Sequence, residues 1–179
     1  MTRIVSALLL TLFSTQYSVP STQKNPVPST QYSVPSTQNK GASITGTWAL
    51  TGAERLLPDG TRVSDYGPNP HGLVIFTADG YYSVQIYRAE RKKFSSGDKL
   101  KGTPEEYKDA SLGMSVHFGR YTVDQAKGTI TFHIDRAGFP DWDDTTQVRA
   151  YELKGDELSW KVPPRPDGSV PITILRRMN

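Results

Sequence analysis

The sequence predicts an all-β fold, an antiparallel sheet of eight strands closed into a barrel, with one short helix between the third and fourth strands. The main observation is the stretch 71–88, HGLVIFTADGYYSVQIYR, where two apolar runs meet at Asp79-Gly80, a pair that tolerates the positive φ of a hairpin turn. Further short apolar runs follow, separated by turn residues, and only one segment carries helix-start signals. Such a meander has unpaired edges until it closes, which favours a barrel over a sandwich.

The N-terminal part of the chain differs from the rest, and we expect the folded domain to cover residues 44–179. Residues 1–21 hold the apolar run IVSALLLTLF after one basic residue, Arg3; the run is too short to span a bilayer but fits a signal peptide. We therefore expect export, to the periplasm or outside the cell, with no stable membrane span. The decapeptide STQYSVPSTQ occurs twice, at residues 14–23 and 29–38. This composition of Ser, Thr, Gln and Pro predicts that residues 22–43 form a disordered linker.

Charge and composition exclude several classes of function. The formal net charge is +3, but residues 40–179 hold 19 Lys and Arg against 18 Asp and Glu, which leaves +1 for the domain. The one dense basic segment, 88–101, lacks interleaved aromatic residues, so no nucleic-acid partner is expected. The chain has no cysteine, and its stability must therefore come from the apolar core.

The first three strands are predicted from alternation and turns. Residues 46–57 form a strand with Trp48 and Leu50 on one face, ended by the turn at 57–60. A two-residue turn at Asp79-Gly80 pairs Phe76 with Ser83 and points Gln85 and Tyr87 into the barrel. A shift of one residue would replace them there with Tyr82 and Val84.

The helix and the last five strands follow in order. Thr103-Pro104-Glu105-Glu106 combines an N-cap threonine, a proline at the first helical position and a glutamate at the third, which predicts a helix to about Gly113. If Val123 faces Gly128 in the next hairpin, then His117, Tyr121, Ile130, Phe132 and Ile134 share its inner face. The five strands are expected at 115–123, 128–135, 147–153, 157–162 and 171–176.

Several short motifs together resemble the lipocalin-like domain of many small bacterial and fungal proteins, a relative of the lipocalin and allene-oxide-cyclase-like barrels. The resemblance covers most of residues 45–162 and implies a barrel with a central cavity, but no particular activity, because one barrel hosts carriers and enzymes. The motifs are Gly46-Thr47-Trp48, Asp79-Gly80-Tyr81, Ser96-Gly97-Asp98, Gly102 to Tyr107, Phe118-Gly119-Arg120-Tyr121 and Gln147-Val148-Arg149.

Three polar residues are candidates for chemistry or ligand recognition. His117 and Tyr121 are expected to project together into an apolar cavity, as an acid/base pair or as polar contacts for a ligand. The alternative for His117 is a hydrogen-bonded core histidine. Arg149 falls on the face of Tyr151 and Leu153, so its guanidinium is expected to point inward, towards an acidic ligand group or onto the ring of Trp48.

No metal or cofactor is expected. The three histidines, His71, His117 and His133, lie on different strands without the close spacing of a zinc site. The aspartates around Trp142 lack the alternation and turn glycine of a calcium loop and indicate a solvated acidic loop. The aromatic residues of that loop are expected either to cap the cavity entrance or to pack on the barrel rim.

Three functions are open at this point. The first is an exported protein that binds a small apolar or amphipathic molecule in the barrel, and its expected ligand contacts are Trp48, Phe76, Gln85, Tyr87, His117, Tyr121, Phe132, Trp142 and Arg149. The second is a cofactor-free isomerase or cyclase, in which His117 or Tyr121 moves a proton and Arg149 stabilises an oxyanion. The third is a structural module, which predicts a lumen filled by side chains.

Overall fold

The computed structural model describes residues 43–178, which form a closed antiparallel barrel. The signal-peptide and linker predictions fall on residues outside this range, apart from Ser43. None of the described helices is long and apolar enough to cross a membrane. The strands are β1 Gly46–Leu56, β2 Arg62–Ser64, β3 His71–Phe76, β4 Tyr81–Tyr87, β5 Met114–Asp124, β6 Thr129–Ala137, β7 Thr146–Lys154, β8 Glu157–Lys161 and β9 Val170–Arg177.

Eight of these strands make the barrel, in the order β1-β3-β4-β5-β6-β7-β8-β9, and β1 pairs with β9 to close it. The prediction of an eight-stranded barrel is confirmed. The ninth strand, β2, was not among the eight predicted strands; it adds three residue pairs to the far end of β1. Closure gives every barrel strand two neighbours, which removes the free edges that an open meander would expose.

The helix α1, Pro104–Leu112, begins as predicted. The Thr103 hydroxyl accepts from the Glu106 N–H at 3.2 Å, and the Glu106 carboxylate accepts from the Thr103 N–H at 2.8 Å. These two bonds satisfy backbone donors that a helix start otherwise leaves free. Because β2 adds one strand to the count, α1 lies between β4 and β5 rather than between the third and fourth strands.

The turn at Asp79-Gly80 has three residues rather than the predicted two, so the predicted hairpin register is wrong by one. Thr77 and Tyr81 are bonded across the turn, at 2.8 Å from N to O, and Gly80 has a φ of +88°. This is the geometry of a hairpin loop that ends in a left-handed glycine. Phe76 therefore pairs with Tyr82, and Tyr82, Val84 and Ile86 turn inward in place of Gln85 and Tyr87.

The pairing register of β5 and β6 differs from the prediction, but the side chains that face the barrel interior are the predicted ones. Val123 pairs with Ile130 rather than with Gly128, a shift of two residues, and an even shift leaves the same side chains inside. The pairing slips at a bulge between Phe118 and Gly119. A β-carbon on Gly119 would collide with the backbone oxygen of His133, so the close approach of the two strands at the bulge requires glycine.

The barrel has a closed end and an open end. Short turns and Trp48, which is fully buried, occupy the closed end, where the Trp48 indole donates to the Ile44 carbonyl at 2.8 Å. The guanidinium of Arg177 lies 4.1 Å from the centre of the Trp48 ring. The longer connections, including α1 and the short helix Pro140–Trp142, gather at the open end. The open end is therefore where a ligand can enter.

Candidate functional site

A cavity of about 140 Å³ occupies the open half of the barrel interior. Its floor and walls are mainly apolar, and its polar groups come from β5, β7, β9 and two loops at the open end. The lining residues are Asp65, Tyr66, Val84, Ile86, Ser115, His117, Phe132, Trp142, Arg149, Trp160, Val162, Arg165, Pro171 and Thr173. The interior is therefore only partly filled by side chains.

His117 is buried in the cavity wall and is bonded to a phenol. Its Nδ1 lies 2.7 Å from the hydroxyl of Tyr82, and its ring stands edge-on to those of Phe132 and Trp142, at 5.7 and 6.1 Å between centres. Burial, reinforced by the positive charge of Arg149, lowers the pKa of His117 to about 4. The imidazole is therefore neutral at pH 7, and within the described residues its Nε2 makes no hydrogen bond.

Tyr82 is the polar partner of His117, and the sequence analysis placed it inside the barrel only under a one-residue shift of the hairpin. Burial raises its pKa well above the usual range, so the phenol stays protonated. The predicted partner, Tyr121, lies at the closed end instead: its hydroxyl donates to the Thr77 carbonyl at 2.9 Å and its ring packs on Phe76 at 4.8 Å. The one-residue error in the hairpin register had turned Tyr82 outward, whereas Tyr121 faces inward as predicted but lies at the other end of the barrel.

Arg149 carries a charge into the cavity wall. The side chain is 7% exposed, and burial lowers its pKa to about 10, so it remains a cation at pH 7. Its guanidinium donates to the side-chain oxygen of Gln147, two residues earlier on β7. Across residues 43–178 it forms no ion pair with a carboxylate. The predicted alternative of a stack on Trp48 is wrong for Arg149, because Arg177 takes that position.

The sequence could have indicated Arg177. Thr173 and Leu175 are buried, so the alternation of β9 puts Arg177 on the same face at its end. Its guanidinium donates to the Ser43 and Thr45 carbonyls, both at 2.7 Å, which ties the chain entering β1 to the end of β9. Arg177 thus closes the end of the barrel opposite the cavity.

Two loops meet at the mouth of the cavity through an ion-pair network. The Asp65 carboxylate, 13% exposed, accepts from Arg165 at 2.8 Å and lies 3.5 Å from Arg55 Nε. Arg165 belongs to the loop between β8 and β9, and Asp65 to the loop after β2. The negative charge at the mouth is therefore already neutralised by two arginines.

The structure brings together four of the nine residues predicted to contact a ligand. His117, Phe132, Trp142 and Arg149 line the cavity. The other five lie elsewhere: Trp48, Phe76 and Tyr121 pack at the closed end, and Gln85 and Tyr87 face outward. Trp142 lines the cavity from the short helix Pro140–Trp142, and the ring of Phe139 packs edge-to-face against it at 5.7 Å between ring centres, so this loop forms part of the cavity wall.

The cavity also contains residues that the sequence analysis did not select. Trp160 is 4% exposed and packs against Phe132 at 5.7 Å between ring centres. Alternation with the fully buried Leu158 on β8 was the available signal. Within residues 43–178, no three histidine or carboxylate side chains converge as a metal site would require.

A closed antiparallel barrel with an internal cavity open at one end defines the lipocalin type of architecture. The chain belongs to the lipocalin-like domain family, whose pattern matches residues 45–175. It is 29% identical, over 82 residues, to the 4'-hydroxy-3'-methoxypropiophenone carrier protein of Aspergillus oryzae; the match spans 42% of this chain and 74% of that protein.

Solved structures show the same general similarity at low identity. A lipocalin-like protein from Bacteroides uniformis matches with a TM-score of 0.38 and 15% identity, over 75% of this chain and 97% of that one. An uncharacterized protein from Bacteroides eggerthii matches with a TM-score of 0.37 and 16% identity, over 76% and 100% of the two chains.

Proposed function

We propose that the protein is an exported carrier that binds a small apolar or amphipathic molecule in the barrel cavity. The observation that carries the proposal is the cavity itself, which has aromatic walls and a few convergent polar groups, the usual make-up of a ligand site. Burial of the ligand would contribute about 25 cal/mol per Å² of apolar surface before ordering costs. The carrier named among the relatives supports this role, and the apolar run near Arg3 supports export.

A cavity-filling substitution tests the proposal. Ser115 lines the cavity near its mouth, so we expect Ser115→Phe to fill the space and abolish binding. The matched control is Gln85→Phe, which adds the same ring on the outer face of the neighbouring strand β4. The probe is 4'-hydroxy-3'-methoxypropiophenone, followed by the fluorescence of Trp142 and Trp160. No response in the wild-type protein, to this probe or to other single-ring aromatics, would contradict the proposal.

Export has its own measurement. The first residue of the mature protein, recovered from the medium or the periplasm, is expected near residue 21, after removal of the apolar run. Mass spectrometry of the intact protein gives that residue directly. A cell-retained protein that still begins at its first residue would contradict export and leave the binding proposal standing.

The alternative function is a cofactor-free isomerase or cyclase, and the state of His117 favours it. A neutral imidazole in an apolar cavity, bonded to Tyr82 at 2.7 Å, could transfer a proton to or from a bound substrate. The molecule extracted from the purified protein would be incubated with fresh protein and analysed for conversion. Conversion that is lost in His117→Gln supports the enzyme; an unchanged molecule supports the carrier.

A further inference from the structure

Among residues 43–178, Arg149 is a buried cation without a counter-ion. The side chain is only 7% exposed and borders the cavity. Its guanidinium donates a hydrogen bond to the neutral amide of Gln147. Transfer of a charge out of water is unfavourable unless a partner of opposite charge compensates for it. The site therefore has an unmet requirement for negative charge.

The other ionisable groups around the cavity do not meet this requirement. His117 and Tyr82 are both neutral at pH 7, and Asp65 at the mouth is held by Arg165 and Arg55. The interior of the cavity accordingly carries one net positive charge. A ligand that carried one negative charge would neutralise it.

The size and walls of the cavity limit the ligand to about one ring. A cavity of about 140 Å³ is close to the roughly 150 Å³ of the engineered protein cavity that holds benzene. Phe132, Trp142 and Trp160 supply aromatic faces and edges on its sides. A long acyl chain exceeds this volume, whereas a single planar ring fits it.

We propose that the cavity selects a single-ring aromatic anion, with a carboxylate bound by the guanidinium of Arg149 and the ring held between Phe132, Trp142 and Trp160. This assignment rests on the proposed function and specifies its ligand class. A guanidinium matches a carboxylate in charge and in its planar fork, so it recognises both the sign and the shape of the group. The uncharged amide of the same ring keeps the shape and loses the charge.

The experiment compares benzoate with benzamide, its neutral isostere, by calorimetric and NMR titration at pH 7. We expect benzoate to bind roughly 10- to 100-fold more tightly, the range of a hydrogen bond to a charged group. Arg149→Met should remove the preference for benzoate, and Arg149→Lys, which keeps the charge but not the fork, should retain part of it. Arg176→Met, an exposed arginine on β9, is the control and should retain all of it.

Each outcome separates this inference from the proposed function. Equal affinity for benzoate and benzamide, or a preference that survives in Arg149→Met, would overturn the anion assignment while the cavity remained a binding site. Failure of both molecules, together with failure of the propiophenone probe, would overturn the proposed function as well. Binding of the propiophenone with no binding of benzoate would overturn the anion assignment alone.

Discussion

Mild acid should destabilise this protein through the protonation of His117 in the unfolded chain. The pKa of His117 falls from 6.5 in the unfolded chain to about 4 in the fold, because the ring is buried beside Arg149. Between these two values the unfolded chain binds a proton that the folded protein does not, so the free energy of unfolding must fall as the pH falls. The loss begins near pH 6.5 and is complete near pH 4.

The size of the effect follows from the two pKa values. Each unit of difference corresponds to 1.36 kcal/mol, so lowering the pH from 7 to 5 should reduce the free energy of unfolding by about 2 kcal/mol. Hydrogen bonds from backbone and side-chain donors lower the pKa values of Asp59, Asp124 and Asp167 below their ordinary value of 3.8. Their contributions are lost at lower pH, outside this window.

Urea unfolding followed by tryptophan fluorescence at pH 7 and pH 5 measures the difference. In His117→Gln the absolute stability is expected to change, but the pH-dependent loss should shrink to a few tenths of a kcal/mol because the titrating group is gone. His133→Gln is the matched control, since His133 is exposed on the outer face of β6. An equal loss in His117→Gln and the wild-type protein would refute the assignment of the effect to His117.

Three further predictions about the stability of the barrel use the same unfolding assay. Gly119→Ala should destabilise the barrel by about 3 kcal/mol, because the added carbon collides with the backbone of His133. In the control Gly52→Ala the added carbon meets only a flexible side chain, so the loss of stability should be much smaller. Similar losses in the two variants would contradict the role of the bulge. Phe76→Ala removes a fully buried ring and should cost about 3–5 kcal/mol, and a loss below 1 kcal/mol would contradict its central place. Arg149→Met should stabilise the ligand-free protein by about 1–2 kcal/mol, and a loss would mean that the buried charge has a partner.

The sequence predicted the strands well because alternation and turn residues act locally. Every predicted strand and the capped helix correspond to elements of the structure, with ends that differ by one or two residues. Turn length was harder to predict, because Asp79-Gly80 suits both a two-residue loop and the last two positions of a three-residue loop. The left-handed Gly80 and the bonded Thr77 and Tyr81 select the longer loop.

The site was only partly predictable for the same reason. A register error of one residue exchanges the two faces of a strand, so one extra turn residue decided whether Gln85 or Tyr82 faces His117. The prediction for β5 and β6 was wrong by two residues and still placed His117 and Phe132 correctly inside. The bulge before Gly119 depends on how two strands fit together, and the alternation of inward and outward residues along one strand does not indicate it.

The barrel separates the contacts that stabilise it from the groups that make its candidate site. At the closed end, Trp48 is bonded to Ile44 and covered by Arg177, and the ring of Phe76 packs against four other aromatic rings. At the open end, burial works against the charged forms of His117 and Arg149, as their lowered pKa values show. Groups held at such a cost are typical of functional sites, and here they border the cavity in the open half of the barrel. The contacts of the closed end therefore supply stability that offsets the cost of holding Arg149 charged without a counter-ion among residues 43–178.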